Sequence, residues 1–433
     1  MKKQLLPILM FFCLALQVFA QNPIPHKYKL GEGYTFSDKE KSSFDLNGYI
    51  QPSMEIRSYP EDSIQDSYTR FRIRRLRLRV QGELPKYKMT YRLQVDLSGT
   101  PEVGDDASSF LFDAWVAYNP IKKLEIKFGQ SSNFTENREM LMSSNALQLA
   151  ERSRLSSAFS VFREFGLFVN YEFKLGRNFF INPGVSVTNG DGPNVFANDH
   201  GGIKYGGRID FMPFGKFVSL GKFRQGDMAR ELTPKLLFGF NYSKANGISS
   251  RRGEASGTII YLNESMQESL PDFTKYGADF LFKYKAFSVL GEYIKSEASV
   301  PTDIMYRVRN DGSISSTFDV NGVQDVSNYV KSRMVLGSAF NIQAGYIFNK
   351  NISVDARFMH FDSDQYSFLN NATIYKRPNY YTIGLSKFFT RSHAFKIQAS
   401  FTLVDVEDGG LDILGNAIYN NEYITNVIAT LSF

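Results

Sequence analysis

The feature that most constrains the fold is the stretch from Tyr68 to Leu84, in which arginines alternate with apolar residues. A period of two is that of a β-strand, whose successive side chains point to opposite faces. The phase slips by one residue at Arg74-Arg75, as it does at a β-bulge, where one strand carries an extra residue. With a bulge there, one face of the strand is apolar and the other carries six arginines. The six are Arg70, Arg72, Arg74, Arg75, Arg77 and Arg79.

A strand of this kind suits a transmembrane β-barrel, because lipid covers the apolar face and a water-filled lumen solvates the charged face. The residues from Arg70 to Arg79 span about 33 Å when extended, which is enough for a tilted strand to cross a bilayer. The arginines then have two possible roles, which the sequence leaves open. They pair with acids on neighbouring strands and brace the wall, or they form a basic ladder that guides anions.

The N-terminus has the features of a secretory signal. Lys2 and Lys3 precede an apolar run, and Val18-Phe19-Ala20 is a small-residue cleavage site, so we predict a signal peptide over residues 1–20. The only cysteine, Cys13, lies inside this signal, so the exported chain offers no thiol for catalysis or metal binding. A formal net charge of +6 is too mild to indicate a nucleic-acid partner.

The rest of the chain continues the alternation. We predict a periplasmic lead-in over residues 21–43, ordered in part against the barrel, and an all-β antiparallel barrel of about sixteen strands over 44–433. Long connections after odd-numbered strands alternate with short ones after even-numbered strands, as outer loops alternate with periplasmic turns in bacterial barrels. The connection 214–233 is the exception, since it is long on the short-turn side. The predicted strands are 44–57, 68–84, 87–97, 110–119, 122–130, 164–175, 178–189, 202–213, 234–244, 273–284, 286–297, 333–348, 352–363, 378–389, 394–406 and 422–433.

The connection after the fifth predicted strand is long and rich in charge. A sixteen-stranded barrel leaves an aqueous channel, which something must narrow if the channel is to select its solutes. We therefore predict that residues 131–162 fold into the lumen as a constriction loop; the alternative is that they cap the outside or contact another subunit. Arg92 and Lys88 are predicted to point inward from the third strand. The predicted anion-binding residues outside the second strand are Lys88, Arg92, Arg138, Arg152, Arg154 and Arg163.

No catalytic constellation accompanies this pattern. A barrel enzyme needs a nucleophile and a base held together, and the histidines lie at no spacing that forms such a motif. The aspartates in and beside the loops do not follow the spacing of a calcium loop. We predict no enzyme activity, no cofactor and no metal site. The four histidines are His26, His200, His360 and His393.

Seven short motifs occur in order over about the first half of the exported chain. They are Gly48-Tyr49-Ile50-Gln51, Arg74-Arg75-Leu76-Arg77, Gly129-Gln130, Glu151-Arg152-Ser153, Arg163-Glu164-Phe165-Gly166, Asn189-Gly190-Asp191-Gly192 and Gly207-Arg208-Ile209-Asp210. Together they resemble the phosphate-selective porin O/P family of Gram-negative outer membranes, especially its Bacteroidetes branch. Asn133-Phe134 stands where that family usually shows Pro-Phe. The resemblance implies an outer-membrane location, contact with lipid and lipopolysaccharide, a homotrimer, and small anions such as phosphate as solutes.

The main functional prediction is an outer-membrane porin for passive diffusion of small solutes, selective for anions through an arginine-lined lumen. Guanidinium groups are well matched to phosphate oxygens. Two alternatives stay open. One is a general, non-selective porin whose arginines are neutralised by Asp45, Glu55, Asp96 and their neighbours. The other is a barrel plugged by its own loops that serves as a structural or interaction subunit of a larger outer-membrane complex.

Overall fold

The computed structural model describes most of the chain after residue 25. The predicted signal peptide, residues 1–20, lies outside the described residues. The described ranges are 26–59, 67–100, 110–190, 192–193, 200–250, 260–309, 311–367, 374–411, 416–418 and 420–433.

Sixteen antiparallel strands of the described chain close into a barrel, which confirms the predicted fold. Each strand pairs with the next along the chain, and the last pairs with the first. The sixth strand continues after Glu172 as Phe173–Leu175. The strands are β1 (Ser43–Ser58), β2 (Tyr68–Leu84), β3 (Met89–Asp96), β4 (Leu111–Tyr118), β5 (Leu124–Ser131), β6 (Glu164–Tyr171), β7 (Phe179–Thr188), β8 (Lys204–Met212), β9 (Lys235–Ala245), β10 (Asp272–Tyr284), β11 (Phe287–Ser299), β12 (Gly337–Ile347), β13 (Ile352–Ser363), β14 (Asn379–Phe388), β15 (Phe395–Val404) and β16 (Glu422–Ser432).

The predicted bulge in β2 is confirmed by its pairing with β1. Gln51 pairs with Arg75 and the next residue, Pro52, pairs with Ile73, so Arg74 is the extra residue. On either side of the bulge the apolar side chains stay on the lipid face, where Phe71 is 75% exposed. Arg75, on the lumen face, is fully buried. The bulge therefore keeps both halves of the alternation in phase with the barrel wall.

Two features at the periplasmic end of the barrel were not predicted from the strand pattern. The lead-in forms a hairpin of His26–Lys29 and Gly33–Ser37, whose second strand pairs with the start of β1. Lys88 was predicted to lie on the third strand, but it precedes β3. The 3-10 turn Pro85–Tyr87 follows β2, and Lys88 ends that turn in a left-handed conformation, so the strand begins one residue later. Proline favours the first position of such a turn, which sets this boundary.

Residues 131–162, the inward loop, fold into the barrel as predicted. The loop contains two 3-10 turns, Arg138–Leu141 and Ser144–Ala146, and the helix α1 (Arg154–Phe159). Ser153 caps α1, because its hydroxyl accepts a hydrogen bond from the Ser156 amide. One side of α1 packs on apolar side chains of β11 to β16 and of the connections before β12 and β14. This intraluminal apolar cluster consists of Leu155, Ala158, Phe159, Ile294, Val335, Ala339, Met359, Phe361, Ile374, Tyr380, Val404 and Ile424.

The outer loops build a folded cap over one side of the barrel. The helix α2 (Val326–Ser332) is capped by Asp325, whose side chain accepts from the Asn328 amide. Phe318 and Val330, the latter a residue of α2, are fully buried, which gives the cap an apolar core of its own. No helix in the described ranges is long and apolar enough to span a bilayer. The short strands of the outer loops are Ile260–Leu262, Tyr306–Val308, Ile314–Ser315, Asp319–Val320, Val323–Gln324, Gly410–Leu411 and Ala417–Ile418.

Candidate functional site

A cavity of about 200 Å³, the outer cavity, lies between the inward loop and the wall formed by β13 to β16, β1 and β2. Its charged lining is one-sided, with seven arginines and two glutamates. Two of these arginines also pair with carboxylates behind the lining, Arg57 with Glu422 and Arg357 with Glu139. The rest of the lining is neutral and mostly hydroxylated. The charged residues are Glu55, Arg57, Arg70, Arg72, Arg74, Glu151, Arg152, Arg154 and Arg357.

Glu151 fastens the inward loop to the bulge of β2. Its carboxylate accepts from Arg74 Nε at 2.6 Å and from Arg75 Nη2 at 3.0 Å. Burial disfavours the charged carboxylate, but the two guanidinium groups outweigh that cost and lower the pKa of Glu151 to about 2. Arg75 also donates to Gln51 at 3.1 Å. The bulge thus places two consecutive arginines, Arg74 and Arg75, within hydrogen-bonding distance of the Glu151 carboxylate.

Arg77 is a second brace between β2 and the inward loop. Its guanidinium donates to Asp96 at 2.8 Å, to the Tyr49 hydroxyl at 2.8 Å and to the Ser144 hydroxyl at 3.1 Å. It also lies 3.5 Å from the centre of the Phe112 ring, a cation–π distance. With 3% of its surface exposed, Arg77 faces protein on all sides. The structure therefore places it among the wall braces.

The arginines nearest the outer end of the lumen are less constrained. Arg72 donates to Glu55 at 3.1 Å. Arg70 is exposed, and neither Arg70 nor Arg154 forms an ion pair with a carboxylate in the described part of the chain. Arg154 is the first residue of α1, so the helix start holds it beside the wall arginines.

Arg152 lines the outer cavity but also supports the loop. Its guanidinium donates to the carbonyl of Glu139 at 2.5 Å and to that of Met142 at 2.8 Å. The Glu139 carboxylate in turn accepts from Arg357 at 3.0 Å. These contacts hold the loop backbone in a fixed position at the cavity floor.

A second cavity, of about 280 Å³, lies on the periplasmic side of the inward loop. Arg79 faces this periplasmic cavity, and its Nε donates to Gln94 at 2.7 Å. Asn145 of the inward loop also lines the periplasmic cavity. Asp45 and Glu32 also line the periplasmic cavity. Its lining therefore has no excess of positive charge, unlike the lining of the outer cavity.

Arg92 and Arg163 meet at one carboxylate away from both cavities. Arg163 Nε donates to Asp113 at 2.6 Å, and Arg92 lies 4.0 Å from the other oxygen of the same side chain. Arg92 also donates to Gln81 at 3.2 Å. Lys88, in the turn, donates its Nζ to the carbonyl of Pro120 at 2.9 Å. None of these three basic residues lines the outer cavity.

Arg138 lies on the opposite side of the lumen, in a neutral cluster with Arg208, Asp210 and Asp279. It is fully buried, and it donates to Asp210 at 2.5 and 3.2 Å and to Asp279 at 3.0 Å. Arg208 donates to the same two aspartates. Burial alone would favour loss of the proton from Arg138, but the two carboxylates outweigh it and raise its pKa. The cluster fixes the loop to β8 and β10.

A second neutral cluster adjoins the first. Lys204 donates to Glu164 at 2.6 Å and to Glu136 at 3.2 Å, and Lys275 donates to the other oxygen of Glu136. All four side chains are at most 5% exposed. This half of the lumen is therefore packed with compensated charge rather than open to solutes.

The comparison with protein families decides the identity of the fold. The model of the family "phosphate-selective porin O and P" matches residues 46–316, which is more than half of the chain. The chain belongs to this porin family. It is a channel of the Gram-negative outer membrane and not an enzyme, as predicted.

Solved outer-membrane proteins are similar to this chain at low sequence identity. The anion-selective porin from Comamonas acidovorans superposes with a TM-score of 0.50 at 12% identity, covering 90% of this chain and 100% of that chain. DcaP of Acinetobacter baumannii gives 0.49 at 14% identity, covering 92% and 99%. OmpT of Vibrio cholerae, described as a trimer form, gives 0.49 at 9% identity, covering 90% and 99%. No curated protein matches the sequence.

The porin also has a second loop inside the barrel, which the sequence did not predict. Residues 213–234, the periplasmic loop, enter from the periplasmic side and meet the inward loop. The Gln225 amide nitrogen donates to Glu139 at 2.8 Å, and its oxygen accepts from the Gln148 amide at 2.7 Å. Lys283 donates to three carbonyls of the periplasmic loop at 2.8 to 3.0 Å. The only signal for this loop was its unusual length.

Five of the twelve predicted site residues of the porin meet at the outer cavity, and two further arginines there were missed. The five are Arg70, Arg72, Arg74, Arg152 and Arg154. Arg57 and Arg357 were missed, although both lie at inward positions of alternating strands. The other seven are Arg75, Arg77, Arg79, Lys88, Arg92, Arg138 and Arg163.

Proposed function

We propose that this porin is selective for small anions, phosphate and similar oxyanions among them, and that the outer cavity is its selecting region. The observation that carries the proposal is the charge of that cavity, seven arginines against two glutamates. An excess of one sign in a narrow space with low-dielectric walls concentrates counter-ions and repels co-ions. Anions entering from outside would therefore be enriched at the cavity, and cations depleted.

Within this proposal, the arginines of β2 and of the inward loop divide into braces and a ladder. Arg75 and Arg77 are buried and hold the inward loop through Glu151 and Ser144. Arg70, Arg72 and Arg154 face the cavity and supply the field that anions meet. Guanidinium forks match the oxygens of a tetrahedral oxyanion, so direct hydrogen bonds add to the field.

The shared fold adds limited support. The Comamonas porin is described as anion-selective, and the family of the chain is named for phosphate. The inward loop acts in this proposal as a constriction, because it separates the outer cavity from the periplasmic one. Anion selectivity is the general part of the proposal, and passage of phosphate is the more specific part.

The test is the reversal potential of the purified porin in planar bilayers under a salt gradient, followed by phosphate titration into chloride. A charge about 10 Å from a permeating ion contributes about 0.4 kcal/mol in water-like dielectric, with opposite sign for an anion and a cation. Arg70→Gln or Arg154→Gln should therefore lower the anion-to-cation permeability ratio about fourfold. Lys331→Gln, which removes the same charge from α2 in the outer cap, should leave the ratio unchanged. A wild-type ratio near unity would overturn the proposal and favour a general porin.

A second candidate function has its own supporting observation. The two loops interlock inside the lumen through Gln225, and the apolar cluster around α1 fills part of the remaining space. A barrel filled in this way could serve as a structural or interaction subunit of a larger outer-membrane complex. Absence of steady current from correctly folded protein would favour this function over the proposed selective passage of anions.

A homotrimer in contact with lipid and lipopolysaccharide completes the proposal. The support is the family membership, since porins of this kind are expected to associate through their lipid-facing walls. Crosslinking in outer-membrane vesicles followed by mass determination tests it. A trimeric mass is expected, and a monomeric mass at every crosslinker concentration would contradict the assembly.

A further inference from the structure

The wall of the outer cavity between Arg357 of β13 and Arg57 of β1 is uncharged and rich in hydrogen-bonding groups. Thr382 of β14, Ser400 and Thr402 of β15, and Asn426 of β16 all line the cavity. A path that only attracted bare anions by charge would have no use for four neutral polar side chains beside the arginines. Hydroxyl and amide groups both donate and accept, so they suit a solute that carries hydroxyl groups.

The strand register places these groups in rows that lead to the arginines. Ser400 pairs with Asn426, Asn426 with Glu55, and Glu55 with Arg70. Adjacent strands are about 4.8 Å apart, so Asn426 and Arg70 are separated by about 10 Å along one row. A bare oxyanion held by Arg70 leaves Asn426 untouched. A solute with a hydroxylated body next to its anionic group contacts both.

The neutral side chains have hydrogen-bonding capacity to offer. Ser400 and Asn426 make no side-chain hydrogen bond to other described residues. Neither has a side-chain polar atom that is both fully buried and without a hydrogen-bond partner. Thr382 and Thr402 share one hydrogen bond of 2.9 Å between their hydroxyls, which leaves acceptor lone pairs on both. Met359 and Ile424 also line the cavity and present apolar surface to the C–H groups of a bound solute.

The size of the cavity limits the solute. Its volume of about 200 Å³ lies below the roughly 300–1,000 Å³ of pockets that hold drug-sized ligands. The cavity therefore suits one small molecule rather than a chain of sugar units. The arginines supply the site for its anionic group, and the neutral row supplies the site for its hydroxyl groups.

Resting on the proposed anion selectivity, we propose that the outer cavity prefers small hydroxylated organic anions, the size of a monosaccharide phosphate, over bare inorganic phosphate. The phosphoryl group contacts Arg70, Arg72 and Arg154, and the sugar hydroxyls contact the row formed by Asn426 and Ser400. Passage involves no covalent step. The preference is a difference in residence time inside the channel.

The first experiment needs no variant. Chloride current through the wild-type porin is measured at about pH 8, where a phosphate ester is a dianion, with glucose 6-phosphate, inorganic phosphate or uncharged glucose added. Glucose 6-phosphate is expected to halve the current at a concentration at least tenfold below that of inorganic phosphate, and glucose is expected to have no effect there. Equal block by the two phosphates, or equal block by glucose and its phosphate, overturns the inference.

A double variant then locates the preference. Ser400→Ala with Asn426→Ala should raise the half-blocking concentration of glucose 6-phosphate about tenfold and leave block by inorganic phosphate and the reversal potential unchanged. Asn47→Ala, on the periplasmic cavity, is the matched neutral control and should change none of these. Equal weakening toward both phosphates contradicts the inference. A porin without anion preference would instead show a reversal potential near zero, which separates failure of the proposed function from failure of this inference.

Discussion

Arg70 and Arg75 lie on the same face of β2, yet their surroundings differ completely. Arg75 is fully buried between Gln51 and Glu151, whereas Arg70 is exposed at the outer cavity. The sequence places both on the lumen side through the period-two pattern and the bulge. The sequence could not distinguish an arginine that holds the loop from one that faces the cavity. Glu151 is 76 residues beyond Arg75, and only the folded loop brings the two side chains together.

At the residue scale, Arg138→Gln tests the buried neutral cluster. The variant leaves Asp210 and Asp279 with a single guanidinium, from Arg208. Breaking a buried pair by removing one partner costs about 3–5 kcal/mol, so the free energy of unfolding should fall by about that amount. Urea titration of the detergent-solubilised porin, followed by heat-modifiable gel mobility, measures the change.

A double variant, in which one charge of each sign is removed, provides the control for the Arg138→Gln prediction. Arg138→Gln combined with Asp210→Asn removes one charge of each sign and should recover part of the loss. A single variant whose unfolding free energy differs from wild type by less than about 1 kcal/mol would show that the cluster is solvated and not a structural brace.

Glu151 gives a prediction for pH dependence. Its pKa is lowered from 4.5 to about 2, so its contribution to stability is fully present above about pH 4.5 and is lost as the pH falls toward 2. At about 1.4 kcal/mol per pKa unit, the contribution is at most about 3.5 kcal/mol. Glu151→Gln should therefore unfold more easily than wild type at pH 7, and the difference should shrink at about pH 2.5.

The matched control for the Glu151 variant is Glu407→Gln, which removes an exposed outer-loop carboxylate. Its unfolding midpoint should follow that of wild type at both pH values. If the difference between wild type and Glu151→Gln were the same at pH 7 and at about pH 2.5, the ion pair with Arg74 and Arg75 would not be its cause.

At the element scale, alternation was sufficient to predict the barrel strands. β13 spans Ile352–Ser363 as predicted, and β16 begins at Glu422 as predicted. Lipid on one side and lumen on the other impose the same period on every strand, so the signal repeats around the barrel. The start of β12 was predicted at Arg333 but lies at Gly337, because α2 and the turn after it occupy the preceding residues.

The periplasmic loop could not be predicted from its residues. Gln225, Asp227 and Glu231 are polar and look like surface-loop residues, yet each is at most 3% exposed. Their partners lie on other segments: Gln225 contacts the inward loop, and Asp227 accepts from the Ala286 amide at 2.8 Å. Loops that fill a polar lumen have no periodic hydrophobic signal, because polar contacts replace the apolar face.

Gln225→Ala tests the contact between the two loops. The variant leaves the Gln148 amide without its partner and removes one donor from Glu139, so the porin should lose about 1–3 kcal/mol of stability. We also expect larger fluctuations of single-channel current, since the loops would move more independently. Gln267→Ala, in an exposed outer loop, is the control. Unchanged stability and unchanged current noise would exclude the interlock.

At the scale of the whole molecule, the lumen is divided around its circumference. The two neutral clusters lie beside β6, β8 and β10, the apolar cluster lies inside β11 to β16, and the outer cavity lies beside β1 and β2 and the walls next to them. A charged side chain that is paired with an adjacent opposite charge produces no long-range electric field. An excess of positive charge in the described lumen lies at the outer cavity, and the proposed selectivity is a property of that side of the barrel.

This division leads to a prediction about ionic strength. The screening length is about 10 Å at 0.1 M salt and about 3 Å at 1 M, so a field that acts along the cavity should be strong at low salt and weak at high salt. The anion-to-cation permeability ratio of the wild-type porin should fall toward unity between these concentrations. Arg70→Gln should start lower and change less, because less field remains to be screened. Direct hydrogen bonds are screened much less than a field, so block by phosphate should persist at 1 M. A ratio independent of salt would mean that anions are chosen by contact in the constriction and not by the arginine field.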